Sequence, residues 1–193
     1  GDLEDALNYS NEVLSPNNNL SQGLKLYLTR DLDLAKFYLE ERYQDDEKAR
    51  YGIIASSRDR DLVRFNINND YLSTQRIKRG PWFTDSKESS FSCRNFNQTV
   101  TEFDCQGLEL DMSLLAWGTD LVRNNDNWSI DNSKQYRGAV KAKNPKQMRI
   151  NAYRVLLTRG RDGTVIYVPK LESLDETYQY LSKCGIPELQ TGN

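Results

Sequence analysis

The sequence predicts an α/β domain with a mostly parallel sheet. Residues 51–55 (YGIIA) and 164–168 (TVIYV) are short, mainly apolar runs, as in strands that are buried on both faces of a sheet. Amphipathic helical segments alternate with these runs, an order typical of parallel sheets covered by helices. A length of 193 residues fits a single domain with one core.

The first half of the chain alternates helix and strand. Apolar residues recur at helical spacing within residues 2–14, so residues 1–20 are expected to form a helical lead-in. Residues 24–29 (LKLYLT) alternate apolar and polar side chains, which predicts a strand. A helix follows over about 31–44, capped by Thr29 or Asp31, and the YGIIA strand comes next.

The second half predicts two loop insertions among strands and helices. The polar segments 66–98 and 131–147 are the expected insertions. The other expected elements are two strands around a turn within 99–118, a hairpin or extended piece over 120–129, a helix over 148–159, a strand over 164–168 and a helix over 173–184. Gly160 is placed to end the first of these helices. Ser173 and Glu176 form a capping-box pattern at the start of the last.

Composition excludes several classes of site. The chain has no histidine, which rules out chemistry that needs an imidazole. Its three cysteines have no paired spacing, which favours reduced thiols in a cytoplasmic protein over disulfides or zinc. No apolar run approaches the ~20 residues of a membrane span, so no membrane partner is expected. Because the first residue is Gly1, we expect a fragment of a longer protein.

Charge is unevenly distributed along the chain. The net charge is -2, whereas dedicated nucleic-acid-binding domains are usually basic. From Lys134 to Arg161, however, there are nine basic side chains and no acidic one. This segment is either a local phosphate-binding surface or a solvated loop followed by an ordinary helix face.

Two segments carry the strongest motifs. The stretch TEFDCQGLELD followed by MSLLAW resembles motif V of superfamily 1 helicases, and NAYRVLLTRGRDGTVIYVP resembles motif VI. The shorter IIASSRDRDL is similar in position to motif IV. The resemblance is closest to the bacterial, Schlafen-related DNA/RNA helicase domain family and spans most of residues 24–189. It implies a three-layer RecA-like (P-loop NTPase-like) domain, the C-terminal half of such an ATPase.

The resemblance implies that Arg159 is an arginine finger acting on ATP bound to a partner domain. Phosphoryl transfer needs cations where negative charge develops on the γ-phosphate, and an arginine anchored beside a packed helix offers a fixed donor fork. The alternative is an arginine that binds the carbonyls at a helix C-terminus. Arg154, one helical turn earlier, is either a second phosphate contact or part of a surface salt bridge.

The other site residues are also assigned by resemblance. Glu109 would contact the nucleotide sugar or the surroundings of Arg159, with Gln106 and Gly107 beside the γ-phosphate, where glycine permits close backbone approach. Thr101 would contact nucleic-acid phosphates. Either Arg58 or Arg60 would be the motif IV arginine at the γ-phosphate, and a charged helix start is the alternative for both.

Two further assignments concern stacking and metal binding. Trp82, beside Phe83 in an expected loop, is the best candidate to stack on bases; Trp117 and Trp128 are weaker ones. A nuclease would need Asp104, Glu109 and Asp111 as metal ligands, but no further acid has a convincing spacing. We therefore expect no metal site in this chain.

The chain has no GxxxxGK[ST] phosphate loop. ATP and Mg²⁺ would therefore be bound mainly by an upstream RecA-like domain, and this chain alone should not hydrolyse ATP. Two functions remain open. The first is the second half of an ATP-dependent DNA or RNA helicase or translocase. The second is a non-catalytic module, derived from a helicase domain, that binds nucleic acid or protein.

Overall fold

A computed structural model describes residues 25–135 and 143–190. Its centre is a five-stranded sheet of order β1-β7-β4-β2-β3, in which every neighbouring pair is parallel. The strands are β1 (Lys25–Thr29), β2 (Tyr51–Ala55), β3 (Thr99–Thr101), β4 (Leu110–Ala116) and β7 (Gly160–Tyr167). The predicted α/β class and parallel sheet are confirmed. The predicted lead-in over 1–20 lies outside the described residues.

Helices cover both faces of the sheet. They are α1 (Leu32–Arg42), α2 (Tyr71–Gln75), α3 (Arg79–Thr84), α4 (Pro145–Leu157) and α5 (Asp175–Lys183). Successive strand residues alternate between two apolar clusters, because side chains along a strand point to opposite faces. Ile53 and Leu114 pack with α1, whereas Ile54 and Leu115 pack with α4 and α5. The domain therefore has three layers.

The expected insertion over 66–98 is only partly a loop. It contains α2, α3 and a short 3₁₀ turn at Cys93–Asn95. The indole of Trp82 packs in the cluster shared by α4 and α5. The predicted hairpin over 120–129 is present as β5 (Val122–Asn124) and β6 (Asn127–Ser129). Its turn places Asn125 and Asp126 at positive φ, which these residue types tolerate.

Two predicted caps are wrong. The helix that was expected over 148–159 starts earlier, at Pro145, because the side chain of Asn144 accepts a hydrogen bond from the backbone N–H of Gln147. Gly160 does not cap this helix; it is the first residue of β7. Ser173 does not cap α5 either. It lies in a 3₁₀ turn, and the carboxylate of Glu176 instead accepts hydrogen bonds from the hairpin turn.

The C-terminal segment completes one side of the sheet. The backbone of Leu28 in β1 donates to Pro187 O (2.9 Å) and accepts from Leu189 N (2.7 Å). This pairing covers the outer edge of β1, which would otherwise expose unpaired backbone groups. Within the described residues, no helix is long and apolar enough to cross a membrane.

Candidate functional site

The predicted site residues lie at two opposite edges of the sheet. Arg58 and Arg60 follow β2 at its carboxyl edge, and Thr101 ends β3 at the same edge. Residues 106–109 and Arg159 come directly before β4 and β7, at the amino edge. Seven-residue β4 separates the two edges by about 20 Å at 3.3 Å per residue. Arg159 thus precedes a strand instead of following one.

Arg159 connects the end of α4 to the start of β7. Its backbone carbonyl accepts a hydrogen bond from Leu110 N (2.9 Å), and its side-chain Nε donates to Val155 O in the last turn of α4 (3.0 Å). The side chain is thus anchored at Nε on a helix C-terminus, where a cation is stabilised by the helix dipole. In the described part of the chain, no salt bridge engages its two Nη atoms.

The loop that precedes β4 lies beside Arg159. Because Leu110 pairs with Gly160, Glu109 is the loop residue next to Arg159 across the two strands. Gln106, Gly107 and Glu109 are exposed. Gly107 has φ +79°, and a Cβ added there would meet no atom within 4 Å. Its conformation requires glycine, and its backbone is open to solvent. The structure therefore brings together the predicted site residues Gln106, Gly107, Glu109 and Arg159.

The glycines after Arg159 form a β-bulge. Pairing between β4 and β7 shifts between Leu110 and Met112, so that two residues of β7, Arg161 and Asp162, lie opposite the single residue Asp111 of β4. A Cβ on Gly160 would lie 1.8 Å from Gly163 O, so the bulge excludes any side chain there. Arg161 forms a salt bridge with Asp111. Arg161 is thus paired with Asp111, whereas Arg159 lies beside the exposed 106–109 loop.

Arg154 lies on α4 and is half-buried. Its backbone carbonyl accepts a hydrogen bond from the hydroxyl of Thr158 (3.1 Å). It is on the same terminal turns of α4 as Val155, the residue that anchors Arg159. Its assignment as a phosphate contact stays a prediction.

Arg58 and Arg60 contact the segment after the hairpin. Arg58 donates to Lys134 O and Arg60 to Ser133 O, both at 3.5 Å. Neither is brought to Arg159, because β2 and β4 separate them along the strand direction. The geometry of this domain therefore does not place Arg58 or Arg60 at the same phosphate as Arg159.

Two predicted nucleic-acid contacts are inaccessible. Trp82 is 1% exposed and lies in α3 rather than in a loop, so its ring has no free face for a base. Thr101 is buried, and its hydroxyl donates to Asp104 Oδ2 (2.7 Å). Both assignments are corrected by this burial: Trp82 stabilises the core, and Thr101 holds the turn that follows β3.

A buried ionic cluster that no sequence motif predicted lies at the carboxyl edge. The guanidinium of Arg149 in α4 contacts Glu102 (2.9 Å) and Asp120 (3.2 Å) and donates to the hydroxyl of Ser56. Ser57 donates to Glu102 through both its backbone N–H and its hydroxyl (2.8 and 2.9 Å). We call Ser56, Ser57, Glu102, Asp120 and Arg149 the Arg149 cluster. It joins α4 to the ends of three strands.

Burial perturbs the titration of this cluster. Burial raises the pKa of Asp120, while hydrogen bonding from Ser56 and the charge of Arg149 oppose the rise. Burial by itself lowers the pKa of Arg149, but Glu102 and Asp120 outweigh it and the net change is upward. The Tyr153 hydroxyl donates to Asp120 (2.7 Å), and its pKa is raised by burial and by that carboxylate. Arg149 is therefore charged at neutral pH.

An exposed aromatic residue lies beside this cluster. Phe103 follows Glu102 and is 51% exposed. Asp104, which follows Phe103, forms a salt bridge with Arg79 (2.7 Å), an exposed side chain. Met148, next to Arg149, is also exposed. An exposed ring between two arginine-bound acids suits stacking on a base close to a phosphate. The exposure of the Phe103 ring decides whether it can stack, and the sequence does not show that exposure.

The remaining reactive groups support no further site. All three cysteines are free, and burial raises the pKa of Cys93 and Cys105 to about 11, so both are neutral thiols with little nucleophilicity. Within residues 25–135 and 143–190, no three acids and thiols are grouped so that they could hold a metal ion.

Comparison with known proteins identifies a family. The family model described as "Schlafen group 3, DNA/RNA helicase domain" matches residues 3–170, which covers most of the chain. The chain therefore belongs to this helicase-domain family. No curated protein and no solved structure matches it.

Proposed function

We propose that this member of the Schlafen group 3 helicase-domain family is the second RecA-like half of a superfamily 1 DNA/RNA helicase or translocase. Arg159 would be an arginine finger for ATP held by an upstream RecA-like domain of the same protein. One observation carries the proposal. The exposed 106–109 loop and Arg159 lie side by side at one edge of the sheet, joined through the Leu110–Arg159 backbone hydrogen bond.

ATP and Mg²⁺ would be bound mainly by the upstream domain. This chain has no GxxxxGK[ST] phosphate loop, and the described residues contain no metal-binding cluster. Its own contribution would be electrostatic. Arg159 would place a guanidinium against the γ-phosphate, where negative charge develops during transfer. Glu109 would bind the nucleotide sugar, and Gln106 and the open backbone of Gly107 would lie close to the phosphate.

DNA or RNA would bind at the opposite edge of the sheet. Phe103 would stack on a base, in the role that the sequence suggested for Trp82. Arg58, Arg60 and Arg79 would contact phosphates, since basic side chains around a stacking residue are the common arrangement for single strands. Separate edges for nucleotide and nucleic acid would explain why Arg58 and Arg159 do not converge.

The proposal is tested by ATP turnover of the chain joined to its ATP-binding domain. Arg159→Ala should lower nucleic-acid-stimulated hydrolysis by about 10³-fold or more, the usual effect of losing an arginine finger. Arg161→Ala is the matched control. This side chain lies two residues away, is exposed and forms salt bridges with Asp111 and Asp162, so turnover should stay within about twofold of the parent.

Three outcomes would contradict the proposal. Unchanged turnover in Arg159→Ala would remove the role of Arg159. Mg²⁺-dependent hydrolysis by this chain alone, lost on Arg159→Ala, would contradict the need for a second domain. Oligonucleotide binding by the joined protein without any ATP turnover would instead favour a non-catalytic binding module.

A further inference from the structure

Helix α4 links the two edges of the sheet. Arg149 lies near its N-terminal end, at the carboxyl edge, and the helix ends at Leu157, two residues before Arg159. Arg159 is ten residues beyond Arg149, which corresponds to about 15 Å along a helix. A displacement of the N-terminal end of α4 would therefore be carried to Arg159, because a hydrogen-bonded helix moves as a rigid element.

Arg149 is the residue that holds this end of α4 in place. Its side chain is 6% exposed, and its carboxylate partners Glu102 and Asp120 are 6% and 0% exposed. Glu102 comes from the turn after β3, and Asp120 from the turn after β4. The Tyr153 hydroxyl, about one turn further along α4, also donates to Asp120 (2.7 Å). The contact with Glu102 is made by Arg149, which ties α4 to the turn after β3.

Glu102 connects the Arg149 cluster to the protein surface through its neighbour in sequence. Phe103 is the next residue and is half exposed. The backbone here is constrained, since Asp104 N and Cys105 N both donate to Thr101 O (2.9 and 3.0 Å). Phe103 and Glu102 therefore belong to one constrained turn. A shift of this turn on base stacking would move Glu102 and, through their ion pair, Arg149.

We propose that Arg149 is a positioning residue that couples nucleic-acid binding at Phe103 to the placement of Arg159. This inference rests on the proposed function. Arg149 itself would touch neither nucleotide nor nucleic acid. It would act as the buried link between the turn that carries Phe103 and the helix that carries Arg159.

The experiment measures how strongly nucleic acid stimulates ATP turnover. The chain joined to its ATP-binding domain is assayed with and without saturating oligothymidine or, separately, oligouridine. The variant is Arg149→Lys, which keeps one positive charge but cannot contact Ser56, Glu102 and Asp120 at once. Asn151→Ala is the control, since this exposed residue on the same helix bonds only to Gln147 in the described chain.

We expect the stimulated kcat of Arg149→Lys to fall at least tenfold. The KM for ATP and the Kd for the oligonucleotide should stay within about twofold of the parent, because neither ligand contacts Arg149. Asn151→Ala should match the parent in all three constants. A purely structural role would lower melting temperature while leaving the ratio of stimulated to basal turnover unchanged, and this result would overturn the proposal.

A second variant covers the case in which Arg149→Lys does not fold. Glu102→Gln keeps the size of the side chain and an acceptor for Ser57 but removes the charge that Arg149 binds. It should lower stimulation in the same way, and undiminished stimulation in this variant would also overturn the proposal. Arg159→Ala is measured in parallel. If Arg159→Ala alone keeps full turnover, the proposed function fails; if it is inactive while Glu102→Gln and Arg149→Lys are normally stimulated, only the coupling role fails.

Discussion

Replacing Phe103 by alanine should weaken nucleic-acid binding with little effect on folding. Stacking of one base on an aromatic ring contributes about 1–3 kcal/mol, so the Kd should rise by about 5- to 140-fold. Phe103 is 51% exposed, and its truncation should cost about 1–2 kcal/mol of folding free energy, well below the 3–5 kcal/mol of a core phenylalanine. The affinity loss should therefore appear in a folded protein.

The assay is fluorescence anisotropy of labelled oligothymidine and oligouridine at several salt concentrations. Phe103→Ala should leave the slope of log K against log salt unchanged, because the ring carries no charge. Phe37→Ala is the matched control: its ring is 55% exposed, but it lies on α1, which covers the other face of the sheet. An affinity within twofold of the parent, or an equal loss in Phe37→Ala, would refute the stacking role.

Two further predictions concern stability. Gly160→Ala should destabilise the domain by about 3 kcal/mol or more in urea unfolding, because its Cβ would meet Gly163 O at 1.8 Å and backbone cannot move aside as a side chain can. A loss below about 1 kcal/mol would contradict the role of the bulge. Arg149→Met should lose more stability at pH 8 than at pH 5. Burial already raises the pKa of Asp120, and removal of Arg149 would raise it further. The folded variant therefore binds a proton more tightly than the unfolded chain, and its free energy of unfolding falls as pH rises above the unfolded pKa of about 4. A loss of stability that does not depend on pH would contradict this prediction.

The sheet was predictable because its signals are local. β2 and the second half of β7 are short, mainly apolar runs, β1 alternates apolar and polar residues, and the 3.6-residue period of α1 and α4 marks one buried face. The caps were less predictable, because several nearby residues compete for the same backbone groups. Glu176 has the spacing of a capping box, yet its carboxylate bonds to the backbone of Asn125 and Asp126, some 50 residues away in sequence.

Sequence motifs suggest only part of the candidate site. The segments that resemble motifs V and VI contain Glu109 and Arg159, and strand pairing brings the two segments together; the roles of both residues stay predictions. The Arg149 cluster has no such signature. Arg149 pairs with Glu102 across 47 residues and with Asp120 across 29, and each looks like an ordinary surface charge in sequence. The assignment of Trp82 as a stacking residue is wrong for the same reason, because the burial of a side chain depends on the whole fold.

The separation of the two edges restricts how the domain can act. No single ligand at the amino edge reaches Phe103, because β4 holds the edges about 20 Å apart. Any communication must pass through elements that span the sheet. Two of the described elements that do so also meet the Arg149 cluster: the 102–109 segment, which contains Phe103 and ends at Glu109, and α4, which runs from Arg149 towards Arg159. Both start at the Glu102–Arg149 ion pair. Because one buried contact lies at the origin of both connections, a change there would reach Glu109 and Arg159 together. The proposed contacts of Glu109 with the sugar and of Arg159 with the phosphate would then change at the same time.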